Sequence, residues 1–278
     1  RGPTPTWDGT GGPAVQRPLE EEAAAQVRSG ETNRVIWMCW TGNNAVPSHL
    51  RLCLRTIQRN AGLPVILVTP SNVLRFVPDL HPAYEFLHLQ HRADYLRCRL
   101  LHAYGGIYLD MDTICLRELS SLFDLLQTYD AIGYDGSQWG ELIGISDMGP
   151  FKPNTGLTRK WLEALRAKLD QALPVFQARQ GYPFYWQEIL RDIFVPASLV
   201  HRDKVSTALL AHNPEQDVLW SLRPSEEVLG PELGRAHILI LNNSKYGDEL
   251  ACLSEEAIVG GPAVLSQLLR TALGLRAP

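Results

Sequence analysis

The stretch from His91 to Asp112, HRADYLRCRLLHAYGGIYLDMD, constrains the fold more than any other part of this chain. A helix-like run breaks at Gly105-Gly106 and re-emerges as a short apolar strand that ends in two carboxylates. Successive side chains of a strand point to opposite faces, so Ile107, Leu109 and Met111 are expected on one face and Tyr108, Asp110 and Asp112 on the other. At strand rise the two aspartate Cα atoms would lie roughly 6.6 Å apart, so one carboxylate can bind a hard cation directly while its neighbour assists directly or through water. Unpaired like charges at a sheet terminus raise each other's pKa, and a divalent ion removes that cost.

The flanking segments place this unit in an α/β sheet. Val35 to Trp40 is a continuous apolar run, as in a strand buried on both faces, and it ends at the polar turn Thr41-Gly42-Asn43-Asn44. Ser48 is expected to cap a helix whose apolar stripe is Leu50, Leu54 and Ile57 and which closes at Asn60-Ala61-Gly62. Pro64 to Val68 reads as the next buried strand. The alternation predicts a βαβ unit with a right-handed crossover.

On the helix from Ala93 to Tyr104, an apolar arc is formed by Ala93, Leu96, Leu100, Ala103 and Tyr104, with Arg97 inside it and Tyr95, Arg99 and His102 opposite. Asp94 and Arg97 are close enough to meet. Either they form a helix-surface salt bridge of little worth, or both turn toward a polar cleft. Beyond Asp112 the pattern predicts a helix near Leu119 to Tyr129 and strands at Ala131–Gly133 and Leu142–Ile145. A helix follows at Leu157–Leu173 with Thr155 or Thr158 as cap, then a shorter one at Trp186–Phe194. A late buried strand is expected at His237–Leu241 and a terminal helix from Leu253. Trp40 falls at the carboxyl edge of the first strand, where α/β sheets place ligands; it is either core or a ligand-facing ring.

Composition narrows the function classes. A chain of 278 residues with 45% hydrophobic and 20% charged content suits one substantial core. Its formal net charge of -4 and lack of a basic run give no footprint for nucleic acid. The five cysteines, Cys39, Cys53, Cys98, Cys115 and Cys252, are odd in number and mostly sit in apolar segments, which reads as thiols in a reducing compartment. No apolar run reaches the roughly 18 residues that would span a membrane, and no signal-peptide pattern opens the chain. It starts with Arg rather than Met, as a chain trimmed of an upstream anchor or domain would. Residues 1–33 are expected as a tail or linker with one helical turn around Leu19 to Val27, and 34–278 as a single domain. The histidines show no HxxxH or HxH spacing, and GxSxG, Walker and GxGxxG patterns are missing, so hydrolase triads and mononucleotide loops are unsupported.

ADYLR, YGG and YLDMD in this order, preceded by WMCWTGNNAVPSHL, LVTP and HPAYE, resemble the glycosyltransferases whose sugar-binding region contains a DXD motif, and most of all their capsular-polysaccharide-synthesis branch. The resemblance runs from about Arg34 to Asp112 and more weakly to about Leu250. It implies a GT-A-type α/β fold, a single Rossmann-like mixed sheet flanked by helices. It also implies metal-dependent, retaining transfer of a sugar from a nucleotide-diphosphate sugar, a UDP-sugar before GDP-mannose, to a hydroxyl of a glycan or lipid-linked glycan. In that family Mn2+ or Mg2+ would sit at Asp110 and Asp112, while Asp94 and Arg97 would hold the donor sugar and its phosphate side. Trp40, with Thr41 beside it, would face the base. Gly105 and Gly106 would let the backbone approach the sugar.

Two further groups are candidates. The polar block Asn242 to Asp248 is a surface loop or a second wall of the site, with His237, Asn243, Ser244 and Lys245 as its candidate groups. Asn242-Asn243-Ser244 also spells a glycosylation sequon, silent in a reducing compartment. Gln187 and Glu188 are candidates for the acceptor side. The expected location is the cytoplasm at the inner membrane face, with peripheral association, or a Golgi lumen for a chain cut from its anchor. The competing readings are a catalytically inactive nucleotide-sugar binding protein of the same fold and a metal-dependent phosphoesterase. The latter usually needs more acidic or His ligands than this segment offers.

Overall fold

The computed structural model describes residues 17–276 apart from 215, 232 and 242. Its strands are β1 (Ile36–Cys39), β2 (Val65–Val68), β3 (Gly106–Tyr108), β4 (Thr113–Cys115), β5 (Ala131–Asp135), β6 (Ile143–Phe151), β7 (Val205–Ser206), β8 (Ala211–His212) and β9 (Ile238–Ile240). Its helices are α1 (Arg17–Gln26), α2 (Ser48–Asn60), α3 (Val73–Phe76), α4 (Leu89–Tyr104), α5 (Gly156–Gln177) and α6 (Arg191–Val200). They continue with α7 (Gln216–Leu219), α8 (Ser225–Leu229), α9 (Asn243–Ala251), α10 (Glu255–Gly260) and α11 (Val264–Leu273).

A six-stranded sheet runs in the order β2-β1-β3-β6-β5-β7. In it β1 is parallel to β2 and β3, β6 is antiparallel to β3 and β5, and β7 is parallel to β5. This is the helix-flanked mixed sheet expected from the sequence. A second sheet, β4-β9-β8, was not foreseen. It arises because the chain turns after β3 and leaves the first sheet at the carboxylate pair instead of extending it.

The four residues of β1 explain why the strand is apolar throughout. Ile36 and Met38 pack with Leu50, Leu54 and Ile57 of α2 on one face, and Trp37 and Cys39 pack with Tyr95, Leu96 and Leu100 of α4 on the other. Burying each large side chain here stabilises the fold by about 1.5–3 kcal/mol before entropy is counted. Helix α2 is itself enclosed from two sides, since Leu52 and Cys53 join Ile114 and Leu239 of the small sheet and Leu268 of α11.

Helix α4 crosses the other face and is buried almost all round. Tyr95, expected on its outer side, is fully buried, because α5 and the 3-10 turn Pro82–Phe86 cover that side. Its hydroxyl accepts from His81 N at 3.0 Å and Arg99 Nη1 at 2.7 Å. The helix ends at Gly105, whose φ of 62° lies in the left-handed region. Gly106, at φ 89°, follows in a cramped joint: a Cβ there would lie 2.9 Å from Val35 O and 3.1 Å from Trp37 Nε1.

Several boundaries moved from their sequence-based positions. Ser48 is the first residue of α2 and not its cap; Pro47 holds that place, and Ser48 Oγ instead accepts from Arg51 Nη2 at 3.2 Å. Thr155 does cap α5, accepting from Thr158 N at 3.2 Å. Residues Ser120–Gln127 wind as a 3-10 helix. The helix expected at Trp186–Phe194 begins only at Arg191; before it, the Gln187 carbonyl accepts from Leu190 N at 3.2 Å, which holds the segment in tight turns. The terminal helix is split into α10 and α11 at Gly260-Gly261-Pro262, where proline cannot continue the ladder. The stretch 17–33, read as part of a tail, carries α1 and is tied down: Ala24 and Val27 pack on the core, Gly30 N donates to Ala103 O at 2.8 Å, and Asn33 Nδ2 to Tyr104 O at 2.8 Å. The thiols of Cys39, Cys53, Cys98 and Cys115 are buried and free, and Cys252 is free and exposed.

Candidate active site

The carboxyl ends of β1 and β3 open onto a cleft of about 640 Å³. Trp40 and Thr41 follow β1 into it, Asp94 and Arg97 enter from α4, and Asp110 and Asp112 follow β3. Strand β3 ends at Tyr108, four residues earlier than the sequence pattern suggests, and a turn carries Asp110 and Asp112 to the cleft. Ile107 and Leu109 pack in the core beneath α2, Met111 packs there and also borders the cleft, and Tyr108, Asp110 and Asp112 line it.

Arg97 organises this cleft. Only 3% of its side chain is exposed, and Nη2 lies 2.8 Å from Asp110 Oδ1 and 3.6 Å from Asp94 Oδ1. Nη1 donates to the carbonyl of Ile145, and the guanidinium lies 4.4 Å from the Tyr108 ring centre. This geometry rules out the exposed salt bridge of little worth. A buried arginine serving two carboxylates is costly to disrupt, since removing it leaves charges uncompensated in a low dielectric.

The electrostatic balance of the cleft is negative. Burial pushes the Asp94 carboxyl up to about 7, against the pull of Arg97 and with a further push from Asp110. Asp110 is likewise raised by burial, opposed by Arg97 and reinforced by Asp112. Burial also works against the charge on Arg97, but Asp110, Tyr108 and Asp94 outweigh it and hold the guanidinium firmly protonated. One cation among three acids leaves the cleft able to accept another positive charge.

The other expected site residues divide. The Trp40 ring forms part of the cleft wall, with Nε1 donating to Asn44 O at 2.8 Å, and Trp37 is core as expected. Thr41 donates its hydroxyl proton to Leu89 O at 2.7 Å, so it joins the end of β1 to α4. Gln187 lines the cleft. Glu188 does not; it pairs with Lys168 at 2.7 Å, away from the site. Gly105 and Gly106 also lie outside the lining, at the opposite end of β3 from the carboxylates, where their role is steric.

The proposed second wall is rearranged. His237 precedes β9, whose far end, Ile240, reaches the cleft, and its Nδ1 accepts from Leu210 N at 3.0 Å. It is therefore part of the small sheet's edge, not of the cleft lining. The block expected as a polar loop is helical from Asn243 onward. Residue 242 and the side chains of Asn243, Ser244 and Lys245 lie outside the described residues.

One acid escaped the sequence reading. Asp147, in the middle of β6, is fully buried, and its Oδ1 accepts from Asp110 N at 3.0 Å and Thr113 Oγ1 at 2.7 Å. The single charged residue in the strand IGISDMGPF was the available signal, because acids are almost never buried without a partner.

Among the described residues no group of three or more His, Cys, Asp or Glu side chains forms a metal cage. The donor chemistry nevertheless fits a hard divalent ion. Two carboxylates on a cleft floor, completed by phosphate oxygens and water, are the usual protein share for Mg2+ and similar ions.

The model of the family described as capsular polysaccharide synthesis protein matches residues 14–132, which carry β1, α4, β3 and both aspartates. Among solved structures, the chain is similar to the PaToxG glycosyltransferase, at 15% identity and a TM-score of 0.42 over 94% of this chain and 92% of that one. It is also similar to the glycosyltransferase GlyE of Streptococcus pneumoniae TIGR4, at 10% identity and 0.38 over 84% and 63%. The galactosyltransferase LgtC, in complex with donor and acceptor sugar analogues, gives 13% and 0.38 over 80% and 98%. No curated protein matches the chain.

Proposed function

We propose that this chain is a metal-dependent glycosyltransferase of GT-A type that moves a sugar from a nucleoside-diphosphate sugar to a hydroxyl of a glycan or lipid-linked glycan, with residues 34–278 as its working unit. The observation that carries the reading is the convergence of Asp94, Arg97, Asp110 and Asp112 on one cleft beneath Trp40. The family match over residues 14–132 supports the same reading and points to surface polysaccharide synthesis.

In this reading the base stacks on Trp40, whose ring is fixed by its bond to Asn44. Asp94 accepts hydrogen bonds from hydroxyls of the donor sugar, and Arg97 keeps Asp94 and Asp110 apart and oriented. Asp110 and Asp112 would hold Mn2+ or Mg2+, which neutralises the charge that develops on the leaving diphosphate. The transfer is retaining, by front-side attack, with the proton of the acceptor hydroxyl passing to the departing phosphate; no protein nucleophile is assigned. The acceptor enters along the side of Gln187, at the cytoplasmic face of a membrane. No helix among the described residues is long and apolar enough to cross one.

The test is release of UDP or GDP from a panel of UDP-sugars and GDP-mannose, with Mn2+ and with EDTA. Metal-dependent release that disappears in Asp112→Ala supports the transferase. Binding of donor without release, with or without glycan acceptors, would identify a nucleotide-sugar binding protein of the same fold. Production of a beta-linked glycan from an alpha-linked donor would overturn the retaining mechanism alone.

A further inference from the structure

We propose that Asp147 is the positioning residue of the carboxylate turn, holding Asp110 and Asp112 at the spacing that a divalent ion and a diphosphate require. The inference rests on the function proposed above and deepens it.

The argument begins with the chain path. Strand β3 pairs antiparallel with β6, Tyr108 opposite Met148, and the next strand, β4, belongs to a different sheet. The few residues between them must reverse away from the first sheet while presenting two acids to solvent. Leu109 N still donates to Trp37 O at 3.0 Å, so the chain follows the sheet that far. The Asp110 backbone N–H faces the β6 side and meets the Asp147 carboxylate there, at 3.0 Å, in place of a ladder carbonyl. Three residues on, the Thr113 hydroxyl donates to the same oxygen at 2.7 Å, and Thr113 N closes the turn on Asp110 O at 3.3 Å. One side-chain oxygen thus grips both ends of the turn that carries the acid pair.

Stability alone does not account for this acid. Its second oxygen, Oδ2, is buried with no hydrogen-bond partner among the described residues, and an unpaired buried polar atom costs stability. Asp147 is absent from the cleft lining, so it acts through Asp110 and Thr113 and not on a ligand. Outer partners that orient metal-holding groups characteristically change metal affinity by about 10–100-fold when removed.

The experiment counts free Mn2+ by electron paramagnetic resonance in mixtures with protein and UDP or GDP, alongside Tm, for wild type, Asp147→Ala, Asp147→Asn and Thr113→Val. The expected result is a metal dissociation constant raised about 10-fold or more in Asp147→Ala. Thr113→Val should shift it in the same direction by less. Asp147→Asn keeps an oxygen able to accept both bonds and should stay near wild type. Lowered Tm with unchanged metal affinity in the alanine and valine variants would reduce Asp147 to a structural residue. Equal loss in Asp147→Asn and Asp147→Ala would mean that its charge matters rather than its grip, and would also overturn the inference. If Asp147→Ala fails to fold, Thr113→Val decides. Wild type that holds no Mn2+ with either nucleotide would instead sink the proposed function, and this inference with it.

Discussion

The two ends of β3 lie within a few residues of each other and obey opposite rules. At its amino end Gly105 and Gly106 have positive φ and almost no room for a side chain. At its carboxyl end Asp110 and Asp112 need their side chains and stand over a cleft. The first end is a steric joint that lets α4 reverse tightly into the sheet. The second gathers charge, with Arg97 paired to the Asp110 carboxylate and Asp147 bonded to the Asp110 backbone N–H. Adjacency in sequence therefore says little about shared purpose: Gly105 and Gly106 admit the backbone of neighbouring segments, Phe151 O and Val35 O among it.

The strongest way to break this contrast is Arg97→Met, because Arg97 is where fold and chemistry coincide. Leaving Asp94 and Asp110 unpaired should destabilise the protein by about 3–5 kcal/mol at neutral pH. The loss should be smaller at pH 5 than at pH 8, since both carboxyls, already raised by burial, then take up protons; denaturant titration at the two pH values measures it. Asp112→Ala should separate the two ends cleanly. Transfer, read as nucleoside-diphosphate release, should fall about 10²–10³-fold while Tm stays near wild type, as expected when a group that stabilises developing charge is removed.

Gly106→Ala should give the reverse profile. A Cβ 2.9 Å from Val35 O at φ 89° costs about 1–3 kcal/mol in strain, read as lowered Tm, with the nucleotide affinity of the folded fraction unchanged. If nucleotide affinity fell instead, the glycine joint would belong to the site after all.

The smallest effect concerns His91, which supports the segment around Trp186. His91 Nε2 donates to Trp186 O at 3.1 Å, which leaves Nδ1 to accept from the Tyr182 hydroxyl at 2.5 Å. Burial holds this imidazole below its usual pKa, so the unfolded chain binds its proton first as pH falls. Stability contributed by neutral His91 is present above about pH 6.5 and should decline below it. The difference in Tm between wild type and His91→Gln should narrow from pH 7 to pH 5.

The sequence made some of this legible and hid the rest for identifiable reasons. The apolar runs of β1 and β2, the stripe of α2 and the cap at Thr155 were readable because periodicity and capping act locally. The placement of Asp94, Arg97, Asp110, Asp112 and Trp40 in one cleft was anticipated from an ordered motif. Tyr95 was misplaced because a helix covered on several sides shows no clean polar face. Asp147 was missed because its partners, Asp110 N and Thr113 Oγ1, lie more than thirty residues away in sequence. Glu188 and His237 carry suitable chemistry, but long-range packing directs them to Lys168 and to the edge of the small sheet.

Taken alone, the amino-acid sequence determined that an α/β sheet would form and that β3 would run toward an acid pair at its carboxyl edge, because the apolar runs and the glycine break act locally. Only the tertiary structure decided where β3 stops, which buried groups clamp its end and which polar residues reach the cleft. Those outcomes depend on hydrogen bonds and contacts between segments far apart in the chain, and no local pattern encodes them.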